Sequence, residues 1–559
     1  MKTENKTKQN LVSSSLILLV STVLVKIIGA AFKIPLATNT FLGDLGFGYF
    51  SVAYDLFTPF YTLAVSGLPS ALSHLIAENL AQKRYGDIEK TVNVTKKLFI
   101  LLGIFSSLIF TLFAVPFVKF TDSSGNTLYS IFAVIPSVFI CFLLSVWRGY
   151  FEGYGNMTPT AVSKVIEAAG KLVLGLSFAF VAIKITKNPA LAAGFAMLGI
   201  TVGSLAAAVF LFIKYKSSKN TITKTEILQN PSVLTTSETV KTVLLLALPM
   251  AVSSLLSGAV SVIDALSVRT LLNGNSENLS LIYKDAINSY NSNSTSALDI
   301  SNLSTYLYGL RSKSFTLFNL LPTLTMSLGV SAMPTLSYYW SKKKIVDVKT
   351  NLNTVIKMLS LITFPAGMAY IAVSKPIMQL LYSDYGSVNI GGNLLFIFGF
   401  TAIFAGFAIP LTSVLQAVDC QFCALFNIVI GVCLKIILNI VLIPTDKFNI
   451  YGSAISTAVC YFVILFAHII KIIKVTGKPQ DVKTVVTKPM IAAVCSSATA
   501  YLICRVSNEK PMIVFAVFCA VLVYLAVVLA FGIITEQDFK SFPKGEKLYF
   551  LAKKVKIVK

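Results

Sequence analysis

Lys26 and Lys33 stand seven residues apart (33 − 26) in "VKIIGAAFKIPLA", the far end of an apolar stretch that begins near Leu11. Seven residues is about two turns, so a helix carries both ammonium groups on one face. A charge inside a membrane helix costs at least about 2.5–3.5 kcal/mol, so each must face protein, water or a partner. Two lysines on one face can hold a phosphate or carboxylate without demanding a single geometry. At about 1.5 Å rise per residue, Lys26 lies about 22 Å from the start of the helix, past the bilayer midplane, and Lys33 lies near the far surface. The expectation for Lys26 is a water-filled cavity. For Lys33, a cavity and an outward, snorkelling position both stay open.

The other charges within apolar segments extend this set. Arg311 and Lys313 fall near the outer end of one segment and Arg269 closes another, so cations collect in one half of the presumed cavity, with an interfacial belt as the alternative. Asp264, five residues before Arg269, is a candidate counter-ion for it. Lys164, Glu167 and Lys171 share a face at i, i+3 and i+7, with Glu167 four residues before Lys171. They, and Lys435, read equally as cavity residues or as structural ion pairs. Arg148 and Glu152 fall at a cytoplasmic helix end, as a gate latch or as solvated charges. Gly67 and Pro69 in "SGLP", with Pro249, Pro322 and Pro334, can bend helices where a transporter must open. Cys420 and Cys423 form a CxxC, but a zinc site needs about four ligands and no second pair is present, so neither metal nor cofactor is expected.

Hydrophobic residues make up 55% of the 559 and charged residues 13%, and the mean hydropathy is +0.76. That balance predicts an all-α polytopic membrane protein. Apolar blocks place about fourteen spans near 11–33, 47–72, 98–118, 127–147, 159–183, 190–213, 242–268, 304–336, 355–381, 392–416, 421–443, 450–472, 485–505 and 512–534. No nucleophile–base pair or phosphate-binding glycine loop is evident, so no enzyme is expected.

Net charge is +23, carried in short loops rather than in runs interleaved with aromatics, which points to anionic lipid and away from nucleic acid. Basic residues of the first tail, of the loops near 83–97, 214–224, 341–344 and 471–483, and of the last tail all fall on one side. By the positive-inside rule both termini are cytoplasmic, and the segment from Asn273 to Asn302 is external.

The segment 148–175 aligns with 412–439 without a gap, Lys171 meeting Lys435 at an offset of 264 (435 − 171). Upstream, 87–98 aligns with 347–358 at 260 (347 − 87), which suggests a duplication. The expected organisation is a tail (1–10), a six-helix bundle (11–213), a linker (214–241), a second six-helix bundle (242–473), two extra helices (484–534) and a basic tail (535–559). An even number of spans per half implies a pseudo-twofold along the membrane normal, with the substrate between the bundles.

Together with "VKIIGAAFKIPLA", "SGLPSALSHLIAE" (66–78), "RGYFEGYGNMTPTAVSKVIEAAGK" (148–171) and "YGLRSKSFTLFNLLPTLTMSLGVSAMPTLS" (308–337), this pattern resembles the multidrug, oligosaccharidyl-lipid and polysaccharide (MOP) flippase superfamily. The likeness is to its stage V sporulation protein B and polysaccharide-exporter branch, which is related to lipid II flippases. The resemblance implies alternating-access movement of a polyprenyl pyrophosphate-linked saccharide, in spore cortex or cell-wall synthesis, with cell-wall synthesis proteins as candidate partners. It also implies basic cavity residues for the pyrophosphate and a groove along the two extra helices for the lipid tail. Lysines on the first helix depart from the commoner arginine-rich cavity. A cation-coupled drug exporter of the same superfamily and a non-transporting envelope scaffold are the rival readings.

Overall fold

The computed structural model describes residues 11–121, 125–218, 235–294, 297–477, 483–507 and 509–533, so both tails and most of the linker lie outside the described residues. Within them the chain is helical, with no strand. In order come α1 (Leu11–Leu36), α2 (Gly43–Thr62), α3 (Leu68–Ala81), α4 (Tyr85–Thr121), α5 (Thr127–Gly153), α6 (Thr158–Thr186), α7 (Pro189–Ser218) and α8 (Thr236–Asn273). Two short helices follow, α9 (Ser276–Ile282) and α10 (Lys284–Asn293). Then come α11 (Leu303–Ser341), α12 (Ile345–Ala372), α13 (Ser374–Leu381), α14 (Gly392–Ala417), α15 (Gln421–Leu442), α16 (Asn449–Thr476), α17 (Lys488–Val506) and α18 (Lys510–Ala530).

Each of the fourteen expected spans falls on this helical framework. Twelve helices among the described residues are long and apolar enough to cross a bilayer, and α1 and α8 carry the other two expected spans. The protein is therefore a multi-pass helical membrane protein. The helix starts repeat: Gly43 and Leu303, Tyr85 and Ile345, and Pro189 and Asn449 are each 260 apart (303 − 43, 345 − 85, 449 − 189). In the tight turns before α4 and α12, Lys83 and Lys343 both adopt a left-handed backbone, at φ 58° and 55° and again 260 apart (343 − 83). A non-glycine residue at positive φ is uncommon, and its recurrence in the same turn carries the duplication into backbone conformation.

By packing, the chain forms two compact units, 1–312 and 313–559. In the first, α6 lies along α7, α5 packs on α4 and α7, and α1 rests on α6. Helix α8, which the duplication assigns to the second half, packs here against α2, α3 and α4. In the second unit α14 packs on α12 and α16, and α15 on α16. The extra helices α17 and α18 form a hairpin set against α12, where Val373, Ala500, Cys504, Ile513 and Ala516 make a small core. The Tyr524 hydroxyl donates to the Leu361 carbonyl at 2.8 Å.

Without a hydrophobic drive between helices in lipid, close backbone approach through small residues holds spans together. A Cβ on Gly48 would collide with the Thr305 carbonyl, and one on Gly309 with the Asp44 carbonyl, so the start of α11 lies directly on α2. Gly309→Ala is expected to lower stability by about 1–3 kcal/mol, because the obstructing atoms are backbone and cannot rotate away. Thermal unfolding of the purified variant measures it, and an unchanged midpoint would refute this contact.

Candidate functional site

In the first unit, α1 brings Lys26 and Lys33 to α2 and α6. Lys26 is exposed and Lys33 half-buried. The Lys33 ammonium lies 4.0 Å from the Tyr54 ring centre, and Lys171 lies 5.6 Å from the same ring and 5.5 Å from that of Phe32. Lys33 thus lies over a ring of α2, and a cation over an aromatic face gains from the ring quadrupole. Next to Tyr54, Asp55 accepts a hydrogen bond from the Tyr308 hydroxyl at 2.7 Å and lies within electrostatic range of Lys33, Arg311 and Asp264. All three lysines keep accessible surface, Lys26 the most.

The charge pairing differs from the sequence expectation. Asp264 pairs with Arg311, Nη2 to Oδ2 2.8 Å, and both side chains are buried. Arg269, fully buried, donates to the hydroxyls of Thr305 (2.6 Å) and Thr121 (3.3 Å), and Asn273 donates to the Thr121 carbonyl (2.8 Å). Five residues of helix rotate Asp264 about 140° from Arg269, which puts them on different faces. Glu167 likewise leaves Lys171 and pairs with Arg148 at 2.8 Å, while Arg148 Nε donates to Ser163 at 3.0 Å. Arg148 is fully buried, so it is not a solvated helix-end charge. Glu152 and Lys164, both half-buried, are its electrostatic neighbours.

Lys313 does not join this cluster. In the second unit its ammonium donates to the Ser387 hydroxyl (2.8 Å), approaches Asp384 (3.5 Å) and lies 4.6 Å from the Tyr382 ring centre, fully buried. Ser387 opens a π-helical turn, Ser387–Gly391, whose Gly391 carbonyl accepts from Ser314 at 2.8 Å. Lys435 is buried in α15.

Gly67 and Pro69 mark a second π-helical turn, Leu63–Gly67, between α2 and α3. Here the Ser145 hydroxyl donates to the Ala64 carbonyl and the Thr62 hydroxyl reaches the Ser254 carbonyl at 3.0 Å. π-bulges of this kind frequently occur at functional sites. Pro322 and Pro334 lie within the single helix α11, and the side chains of Pro249 and Pro334 lie outside the described residues. Among the described residues no group of three metal-ligating side chains occurs.

Sequence reasoning missed Tyr54, Asp55, Tyr308, Thr121, Thr305, Asp384 and Ser387. Asp55 was findable, being a carboxylate in the middle of an apolar span and subject to the same insertion cost as the lysines.

The polysaccharide biosynthesis protein family matches residues 11–291, half of the chain. The chain belongs to that family. A second family, MatE, matches residues 311–441, and the two together place this polysaccharide biosynthesis protein in the MOP flippase superfamily. The chain is 26% identical to stage V sporulation protein B of Bacillus subtilis (strain 168), over 96% of this chain and 98% of the relative. To the lipid II flippase MurJ of the same organism it is 23% identical, over 87% and 86%. Among solved structures, lipid II flippase MurJ in an inward closed conformation superposes with a TM-score of 0.63 at 15% identity, covering 92% of this chain and 98% of that one. An inward-facing multidrug resistance MATE family transporter gives 0.61 at 13%, covering 82% and 97%. Both structures share this protein's fold.

Proposed function

We propose that this protein is a flippase that moves a polyprenyl pyrophosphate-linked saccharide, lipid II or a related wall or polysaccharide precursor, across the plasma membrane by alternating access. One observation carries the reading. Lys33 and Lys171 lie over the Tyr54 ring, with Asp55 as the neighbouring carboxylate and Lys26 within electrostatic range of Lys171, an excess of positive charge inside a membrane fold. A pyrophosphate head cannot cross hydrocarbon unaided, and such a cluster would substitute for its hydration. The relatives named as a sporulation protein and a lipid II flippase support the same reading. Arg269, Arg311 and Lys313, with fixed protein partners here, support the framework rather than the substrate. The hairpin α17–α18 would serve the lipid tail.

Transport of labelled lipid II by purified protein in liposomes tests this reading. Movement of a cationic drug but not of lipid II would favour the exporter, whose substrates call for unpaired carboxylates, whereas Asp55 and Asp264 each have a protein partner. Movement of neither would favour a scaffold.

The proposed orientation, with both termini cytoplasmic, has its own test in intact cells. A cysteine at Ser292, in α10 of the 273–302 segment, is expected to react with an impermeant thiol reagent, and one at Ser218 to be protected. The reverse pattern inverts the topology.

A further inference from the structure

The span formed by α2 and α3 holds Pro59 and Pro69, ten residues apart (69 − 59), with the π-helical turn Leu63–Gly67 between them. Proline has no N–H, and its ring crowds the carbonyl four residues back, which for Pro69 is that of Val65. The wider winding relieves that crowding: the Leu68 N–H reaches back five residues to the Leu63 carbonyl. It also leaves the Ala64 carbonyl without a helical donor, because the residue five ahead of it is Pro69. The Ser145 hydroxyl of α5 fills that gap. Ser145 is fully buried and lies 2.9 Å from the Cys141 carbonyl of its own helix, so its donor keeps an acceptor when Ala64 moves away.

Different neighbours hold the two sides of this turn. On the α3 side, Cβ atoms on Gly149 and Gly153 of α5 would collide with the Pro69 carbonyl and with Ile76, so α3 lies directly on α5. On the α2 side, one on Gly258 of α8 would collide with Pro59, and the Thr62 hydroxyl lies 3.0 Å from the Ser254 carbonyl of α8. We infer that the Leu63–Gly67 turn is a bending joint, that α3 moves with α5 and α2 with α8, and that Ser145 fixes the angle between them through the Ala64 carbonyl. A turn whose carbonyl is served from another helix yields when that helix shifts, whereas an unbroken α-helix carries its own bonds. Tyr54 and Asp55 lie on the α2 side, about two turns or more before the joint, so bending changes how the lysine cluster is reached from the α3 end. The bend does not depend on what is carried; its part in transport rests on the proposed function.

Spin labels read the joint directly, at Thr40→Cys just before α2 and His74→Cys on α3, both exposed, in the full chain in nanodiscs with its native cysteines replaced by alanine. Ser145→Ala is expected to widen the distance distribution. Pro69→Ala returns an N–H to the turn and lets it wind as plain α-helix, so it is expected to give a narrow distribution at a new distance. Ser145→Ala added to Pro69→Ala is then expected to change nothing further, because no carbonyl is left that needs the hydroxyl. An equal effect of Ser145→Ala in both backgrounds, or in neither, overturns the inference. Should Ser145→Ala fail to fold, Pro69→Ala decides alone, and an unchanged distance overturns it. In liposomes Ser145→Ala is expected to slow lipid II transport about tenfold while keeping affinity for lipid II within about twofold, since Ser145 acts through the joint and not on the substrate. Unchanged transport by Ser145→Ala would overturn the joint as a moving part. If the unaltered protein moves no lipid II, the proposed function falls, and the distances still judge the joint.

Discussion

Lys33→Gln is expected to reduce lipid II transport in liposomes about ten- to hundred-fold, with expression and insertion unchanged. The size follows from losing charge-assisted contacts of about 1.5–3 kcal/mol to a phosphate oxygen. Insertion is spared because removing a charge makes a span easier to place in lipid. Lys33 is the more sensitive of the two lysines on α1, because its ammonium points at Tyr54 beside Asp55 while Lys26 is more exposed. Lys26→Gln is expected to lose less, and Lys33→Arg to keep part of the activity, since charge remains but shape and hydration change. Full transport by Lys33→Gln would remove the cation cluster from the mechanism.

The largest expected loss of stability comes from Asp264→Leu. It leaves the Arg311 guanidinium buried without its carboxylate, at a cost of about 3–5 kcal/mol. The double variant Asp264→Leu/Arg311→Met is expected to recover most of that loss, since a buried ion pair replaced by apolar side chains of similar volume is often neutral. A double-mutant cycle on thermal or denaturant unfolding reads the coupling directly. Additive effects of the two single variants would show that the pair contributes nothing as a pair.

The spans were legible in the sequence because a helix in lipid must be continuous and apolar over about 20 residues, and the duplication because turns such as those at Lys83 and Lys343 keep their length and backbone. Ion pairing was not legible. Spacing along one helix made Glu167–Lys171 plausible, yet Arg148 on α5 takes Glu167, and Asp264 finds Arg311 on α11. Which partner wins depends on which helix faces which, and that is set by close contacts such as Gly48 on Thr305. Position along the axis left Lys33 open between a cavity and the outer headgroups, and the ring it lies over, Tyr54 on α2, was not legible from spacing on α1 alone.

The Asp264–Arg311 bridge joins residues 47 apart in the chain, and Arg269 finds Thr305 36 residues on. During synthesis, α8 therefore emerges before Arg311 and Thr305, two of the partners that its aspartate and arginine take in the finished fold. Each charge left bare in lipid costs about 2.5–3.5 kcal/mol. Packing of α8 on α2–α4, with Arg269 on Thr121, gives part of that charge a protein partner before α11 is made.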